Sequence, residues 1–221
     1  MKKILLAGAT GYLRNYILEE LLRKEDSVTA LLRNKSKLKT TGPVSVIEAA
    51  ITDPAAIRDC CRDTDVVISA VGITRQKDHL TYMDVDYQGN LNLLEEARRS
   101  GVKKFIYVSV LHGRELRRLK ICDAKERFVE ALEKSGLDYC VIRPTGFFPD
   151  MLAYLDMARK GRVYLFGDGA AEINPIHGAD LAGVCVSAIN STEKEIPVGG
   201  PQVLTQQEIA ATAFAALDKK A

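Results

Sequence analysis

Short apolar runs alternate along this chain with longer stretches whose apolar positions recur at helical spacing. Residues 4–7 are apolar and end at Gly8, and residues 12–22 then repeat the helical pattern. A β-rich run at 28–32 precedes a basic, polar segment at 33–39, and a short β-branched run occupies 44–47. Asp53-Pro54 reads as a helix start with the proline just inside it. Further strands are predicted at 66–68, 105–110 and 139–142, the last broken at Arg143-Pro144. Helices are predicted at 91–99 and 124–134, closed by Ser100-Gly101 and Ser135-Gly136. After Pro144 the rhythm loosens into a helix at 151–160, a short strand at 163–166, a helix at 180–189 and a last helix at 206–217. Strands this apolar suit a parallel sheet covered on both faces, and their alternation with helices means βαβ units. The predicted class is α/β, a Rossmann-type doubly wound parallel sheet with a small C-terminal lobe. No repeat or linker interrupts it, so residues 1–221 are expected to form one unit, 1–143 as its core and 144–221 closing a cleft.

Composition narrows the chemistry. With 31 basic and 29 acidic residues among 221, the net charge is +2, which offers no general electrostatic case for nucleic acid or an anionic membrane. A small acidic ligand remains compatible with a local basic cluster. The 47% hydrophobic content excludes a disordered chain. Five cysteines are an odd set, with Cys60 and Cys61 adjacent, so reduced thiols and a cytoplasmic setting are expected. No His and Cys group has metal-ligand spacing, so no metal is expected. Gly8 and Gly11 interrupt the apolar start too early for a signal peptide or a spanning helix. A monomer and a homodimer fit these residues equally.

Gly8-Ala9-Thr10-Gly11 falls where the first strand gives way to the first helix. A dinucleotide's pyrophosphate needs a close backbone, amide hydrogens and a helix N-terminus there, and glycines permit that approach. The third glycine of the common pattern would fall on position 14, where this chain has Arg14. Arg14 is either a cation that reaches the pyrophosphate or a bulk that obstructs the pocket. An NAD site usually ends its second strand with an acid that accepts the ribose hydroxyls. Here Arg33-Asn34-Lys35 is basic instead, which suits the 2′-phosphate of NADP more than NAD, with Arg33 shaped for paired hydrogen bonds.

Gly8-Ala9-Thr10-Gly11-Tyr12, the turn at Arg33, Asp65-Val66-Val67-Ile68-Ser69, Phe105-Ile106-Tyr107-Val108-Ser109 and Ile142-Arg143-Pro144-Thr145-Gly146-Phe147-Phe148 together resemble the atypical short-chain dehydrogenases/reductases. Within that superfamily the chain is similar to the nitrogen-metabolite-repression-regulator-like and divinyl-chlorophyllide-reductase-like NAD(P)-binding proteins. Phe166-Gly167-Asp168-Gly169, Asn174-Pro175-Ile176 and Asp180-Leu181-Ala182 resemble the latter especially. The resemblance implies that Ser69, Ala70, Val71 and Gly72 lie along the adenosine and its ribose. It further implies that Ser109 ends a strand beside the nicotinamide, and that Pro144, Thr145, Gly146 and Phe147 flank that ring.

Many such relatives carry Tyr-x-x-x-Lys on the following helix, the tyrosine moving a proton and the lysine lowering its pKa while holding the ribose. The matching positions are Ile121 and Lys125, so the lysine is kept and the proton donor is an alkyl group. An acid that many relatives place after the third strand is replaced by Ala49-Ala50, and Asp53 reads as an N-cap. Alternative proton donors are His112, Cys122 and His177; Tyr82 and Tyr87 could overhang the pocket, and Thr74, Arg75 and Gln76 could line it. Three readings remain: a reductase of a small organic acceptor with Ser109, Lys125 and His112 at its centre, a sugar epimerase or dehydratase, and a non-catalytic redox sensor or scaffold. The missing tyrosine weighs against the second and is what the third predicts.

Overall fold

The computed structural model describes residues 1–8, 12–38, 40, 42–73 and 79–219. From the N-terminus run β1 (Lys3–Ala7), α1 (Tyr12–Arg23), β2 (Ser27–Leu32), β3 (Ser45–Glu48) and β4 (Val66–Ser69). A π-helical segment, Met83–Gly89, leads into α2 (Asn90–Arg99), followed by β5 (Lys104–Val108), α3 (Lys120–Glu133) and β6 (Asp138–Pro144). The remainder is α4 (Leu152–Arg159), β7 (Glu172–Ile173), α5 (Gly178–Ser187), β8 (Glu195–Val198), β9 (Leu204–Thr205) and α6 (Gln206–Ala215).

Seven strands form one sheet in the order β3-β2-β1-β4-β5-β6-β8, and every neighbouring pair is parallel. This is the Rossmann-type sheet that the alternation predicts. Leu5 of β1 sits opposite Thr29 on one side and Val67 on the other, so β1 is an interior strand, next to β4 at the centre of the sheet. The strands read as continuous apolar runs because both faces are covered. Ile4, Leu6, Ile68, Ile106 and Ile142 point into a core shared with α1 and α5. Leu5, Ala7, Val67, Phe105 and Tyr107 point into the opposite core, which α2 and α3 close. There Phe128 packs its ring 4.5 Å from Tyr107 and 5.8 Å from Phe105. Strand order reverses between β1 and β4, and the carboxyl ends of these strands open a crevice at that switch point.

Several expected elements change. Asp53 does cap, its Oδ1 accepting from the Ala55 and Ala56 amides at 3.0 and 3.2 Å. The helix it was expected to start does not form: Asp59 and Asp63 adopt φ of +62° and +57°, so residues 51–63 make consecutive turns. Left-handed residues interrupt an α-helix because their carbonyls leave the helical ladder. Residues 163–166 form no strand; the short strand lies later, in β7, which pairs antiparallel with β9. β8, unpredicted, pairs with β6 and extends the main sheet, because Ile196 and Val198 cover its end of the α5-side core. Outside the sheet, α4 and α6 pack around Ala158, Ala213 and Phe214 to build the small lobe. No helix among the described residues is long and apolar enough to cross a membrane.

Candidate functional site

Two cavities meet above the carboxyl ends of the strands. The smaller, about 170 Å³, is bounded by Gly8, Leu32, Arg33, Ala50, Val71 and Val85. The larger, about 750 Å³, lies over β5 and β6 and is bounded by Tyr12, Ser109, Lys125, Pro144 and Phe147, with Ile173 and Asn174 of the lobe opposite. Ala70, Gly72 and Ile73 border both, so the two make one groove.

Local sequence explains this opening. Gly8 has φ +140°, and a Cβ there would stand 3.0 Å from the Ala70 carbonyl carbon, so the turn after β1 and the loop after β4 touch through backbone alone. The loop after β4 is held by Asn90, whose Oδ1 accepts the Ser69 hydroxyl at 2.6 Å while its Nδ2 donates to Val71 O at 3.4 Å and Asp86 O at 3.0 Å. Gly72 then passes so close to the Asp86 carboxylate that a Cβ would approach Oδ1 to 2.6 Å.

Lys125 projects from α3 into the larger cavity, its Nζ 3.1 Å from Asp86 Oδ1 and donating to the Tyr107 hydroxyl at 3.4 Å. Burial acts to lower its pKa, but Tyr107 and Asp86 outweigh it and hold the ammonium above the usual lysine range. Burial pushes the Tyr107 phenol up to about 12, with the Lys125 charge acting against that rise. Ser109, at the end of β5, donates to Glu126 Oε1 at 3.3 Å. Glu126 is itself clasped by Arg143, through Nη1 at 2.6 Å and Nη2 at 3.0 Å, with both residues buried. Arg143 Nε reaches Glu195 at 2.9 Å, which ties β6 to β8.

The structure brings together Gly8, Arg33, Ala70, Val71 and Gly72 at the smaller end of the groove. At the larger end it gathers Tyr12, Ser109, His112, Lys125, Pro144, Thr145, Gly146 and Phe147. Ser69 lies buried behind its loop, holding Asn90. Thr10 and Gly11, and likewise Thr74, Arg75 and Gln76, lie outside the described residues. Ile121 lines the larger cavity, so an alkyl group occupies the tyrosine's place in the pattern. Phe147 is both wall and core, pairing with Ile176 and packing on the α5-side core, whereas Phe148 is exposed.

Of the alternative proton donors, His112 is exposed at the cavity rim, and Glu115 is its nearest charged neighbour at 3.9 Å. Cys122 reaches the cavity wall, but burial, then the charge of Glu126, raises its thiol above the ordinary range. His177 lies outside both cavities: it caps α5, Nδ1 accepting from Ala179 N at 3.2 Å, and its ring meets Tyr16 edge-on. Tyr82 and Tyr87 line neither cavity. Arg14 is buried, also outside both linings. Sequence reasoning missed Asp86, Asn90, Glu126 and Arg143 as site residues. Asp86 and Asn90 recur at helical spacing with the buried Val85, Leu93 and Ala97, but Asp84, Gln88 and Asn92 beside them mask that signal.

Comparison with known proteins bears on the family and the fold. Residues 8–192 match the NAD(P)H-binding family. The chain is 31% identical over 219 residues to divinyl chlorophyllide a 8-vinyl-reductase of Zea mays, covering 90% of this chain and 55% of that protein. It is 29% identical over 215 residues to photosystem II assembly factor Ycf39 of Synechocystis, covering 94% and 65% respectively. The chain thus spans about half to two thirds of these relatives. Among solved folds, UDP-glucose 4-epimerase of Thermus thermophilus with NAD superposes at a TM-score of 0.81 and 19% identity, covering 99% of this chain and 84% of that one. NADPH-dependent quinone oxidoreductase of Escherichia coli with NADPH gives 0.81 and 22%, covering 98% and 76%. Both show a shared fold. The chain belongs to the NAD(P)H-binding family whose model spans residues 8–192, on a Rossmann-type fold.

Proposed function

We propose that this chain is an NADP(H)-dependent reductase of a small organic acceptor that works without an active-site tyrosine. The observation that carries this reading is the continuous groove, with Arg33 at one end and Ser109 and Lys125 at the other, joined along Ala70, Gly72 and Ile73. In this reading Arg33 pairs with the 2′-phosphate, and Gly8 with the loop at 69–72 faces the adenosine half. Pro144, Thr145, Gly146 and Phe147 flank the nicotinamide, which supplies a hydride when bound reduced. Lys125, fixed by Asp86, donates to the ribose hydroxyls.

Ile121 carries no proton, so the acceptors that suit this cleft are those whose reduced anion is stabilised by conjugation, such as quinones, flavins and enones. Their proton can arrive from solvent or from His112 at the rim. The names of two similar proteins, a vinyl reductase and a quinone oxidoreductase, accord with that class. Five buried cysteines accord with a reducing, cytoplasmic setting.

The test is NADPH oxidation across a panel of quinones, flavins and enones. Turnover is expected with at least one of them, preferring NADPH to NADH and impaired in Lys125→Ala. Ile121 also favours a second reading, a non-catalytic NAD(P)-binding protein, which tight dinucleotide binding with no turnover across the panel would support.

A further inference from the structure

The described buried cations are paired, with one exception. Lys104 faces Asp138 at 3.4 Å, Lys125 faces Asp86 at 3.1 Å and Arg143 faces Glu126 at 2.6 Å. Arg14 is 2% exposed and forms no ion pair among the described residues. Its Nη2 donates to Asn15 Oδ1 at 3.2 Å, while Nε and Nη1 have no hydrogen-bond partner among the described residues.

Position makes this more unfavourable. Arg14 lies in the first turn of α1, on the stripe it shares with Ile17, Leu18 and Leu21, which faces the sheet. The N-terminal end of a helix carries partial positive charge, so a cation there is repelled as well as desolvated. Burial lowers the pKa of Arg14, with no acid acting the other way. A guanidinium does not escape by losing its proton near neutral pH. Desolvation, helix field and unmade hydrogen bonds are all relieved by one event, the arrival of an anion at the start of α1.

We infer that Arg14 is a phosphate-binding residue, whose counter-ion is a phosphate of the dinucleotide held at the amino end of α1. The inference rests on the dinucleotide reading above and extends it to a residue that stands where the common pattern has glycine. It implies that the ligand-free protein is destabilised by this residue. A change of side-chain rotamer swings the guanidinium from the helix–sheet seam toward the ligand, where its donor fork grips phosphate oxygens.

The full chain is compared with Arg14→Met, which keeps the apolar stem, and Arg14→Lys, which keeps the charge. Calorimetric titration with NADPH and NADH is read beside the melting temperature without ligand. Arg14→Met is expected to melt higher than the native protein without ligand, yet to bind at least tenfold more weakly and with a shallower salt dependence. Arg14→Lys is expected to recover part of the affinity. An equal loss for both dinucleotides assigns the contact to the bridging diphosphate, and a loss confined to NADPH assigns it to the 2′-phosphate. Undiminished affinity in Arg14→Met overturns the inference, as does a lower ligand-free melting temperature. If the native chain binds neither dinucleotide, the reductase reading fails on its own. Arg14 is then judged with inorganic pyrophosphate: stabilisation of the native protein but not of Arg14→Met upholds the phosphate site, and no difference overturns it.

Discussion

Replacing Glu126 with leucine removes the acceptor of both Arg143 Nη1, at 2.6 Å, and Nη2, at 3.0 Å, in a place where the two residues are 2% and 3% exposed. Removing one partner of a buried ion pair costs about 3–5 kcal/mol, because the survivor remains desolvated. Here Arg143 keeps Glu195 at 2.9 Å and the Val110 carbonyl at 3.2 Å, so the lower end, about 3 kcal/mol, applies. For a chain of this size that corresponds to a melting temperature lower by roughly 6–12 °C. The double variant Glu126→Leu/Arg143→Leu should regain most of the loss, since an apolar pair replaces a desolvated one and Glu195 retains Arg114 at 2.8 Å. Urea unfolding followed by circular dichroism of the native, single and double variants measures the cycle. A Glu126→Leu loss below about 1 kcal/mol, or a double variant as unstable as the two singles summed, refutes the reasoning.

Three further outcomes follow from the geometry. Gly72→Ala places a Cβ 2.6 Å from Asp86 Oδ1 and 3.0 Å from Lys125 Nζ; it should cost about 1–3 kcal/mol and weaken NADPH binding, read by thermal shift and titration. Burial holds the Tyr107 phenol neutral up to about 12, above an ordinary 10. A folded-state pKa that is raised contributes stability in full below about pH 10, lost as pH climbs through about 12. Relative to Tyr107→Phe, the native protein should therefore lose about 1.4 kcal/mol between about pH 9 and about pH 11 in urea titrations. An unchanged difference between the two proteins would count against a buried phenol. All five cysteines are free and buried, and burial raises the thiols of Cys140 to about 11 and Cys185 to about 12. Native protein near neutral pH should thus react slowly with dithionitrobenzoate, and unfolding should release all five thiols. Rapid native labelling would show that the cores open.

Residues with a strong periodic signal were legible in advance. β1, β4 and β5 are buried on both faces, so their unbroken apolar runs announced a covered parallel sheet, and α2 and α3 stop at the Ser-Gly pairs read as terminators. Asp53 was legible as a cap, but the helix behind it was not excluded, because the left-handed turns at Asp59 and Asp63 leave no mark that distinguishes them from helical aspartates. β8 escaped because its pattern is interrupted by Pro197 and its burial comes from β6, far away in sequence. The site divides likewise. Glycines and basic residues near strand ends carry their meaning locally. The pairing of Lys125 with Asp86, or of Arg143 with Glu126 and Glu195, depends on which strands become neighbours, and no local pattern specifies that.

The widened helical segment Met83–Gly89 has an evolutionary corollary. Wide coils of this kind commonly arise when one residue is inserted into an ordinary helix, and they persist where the bulge is useful. Here the bulge turns Asp86 toward Lys125 while Asn90, at the start of α2, clasps the loop after β4. Deleting a single residue would restore regular winding and rotate everything upstream by about 100°. Asp86 would then swing away from Lys125 while Asn90 kept its grip. A relative one residue shorter at this point would accordingly need a different anion to hold its lysine, which makes length there as informative as residue identity when the family is sorted by chemistry.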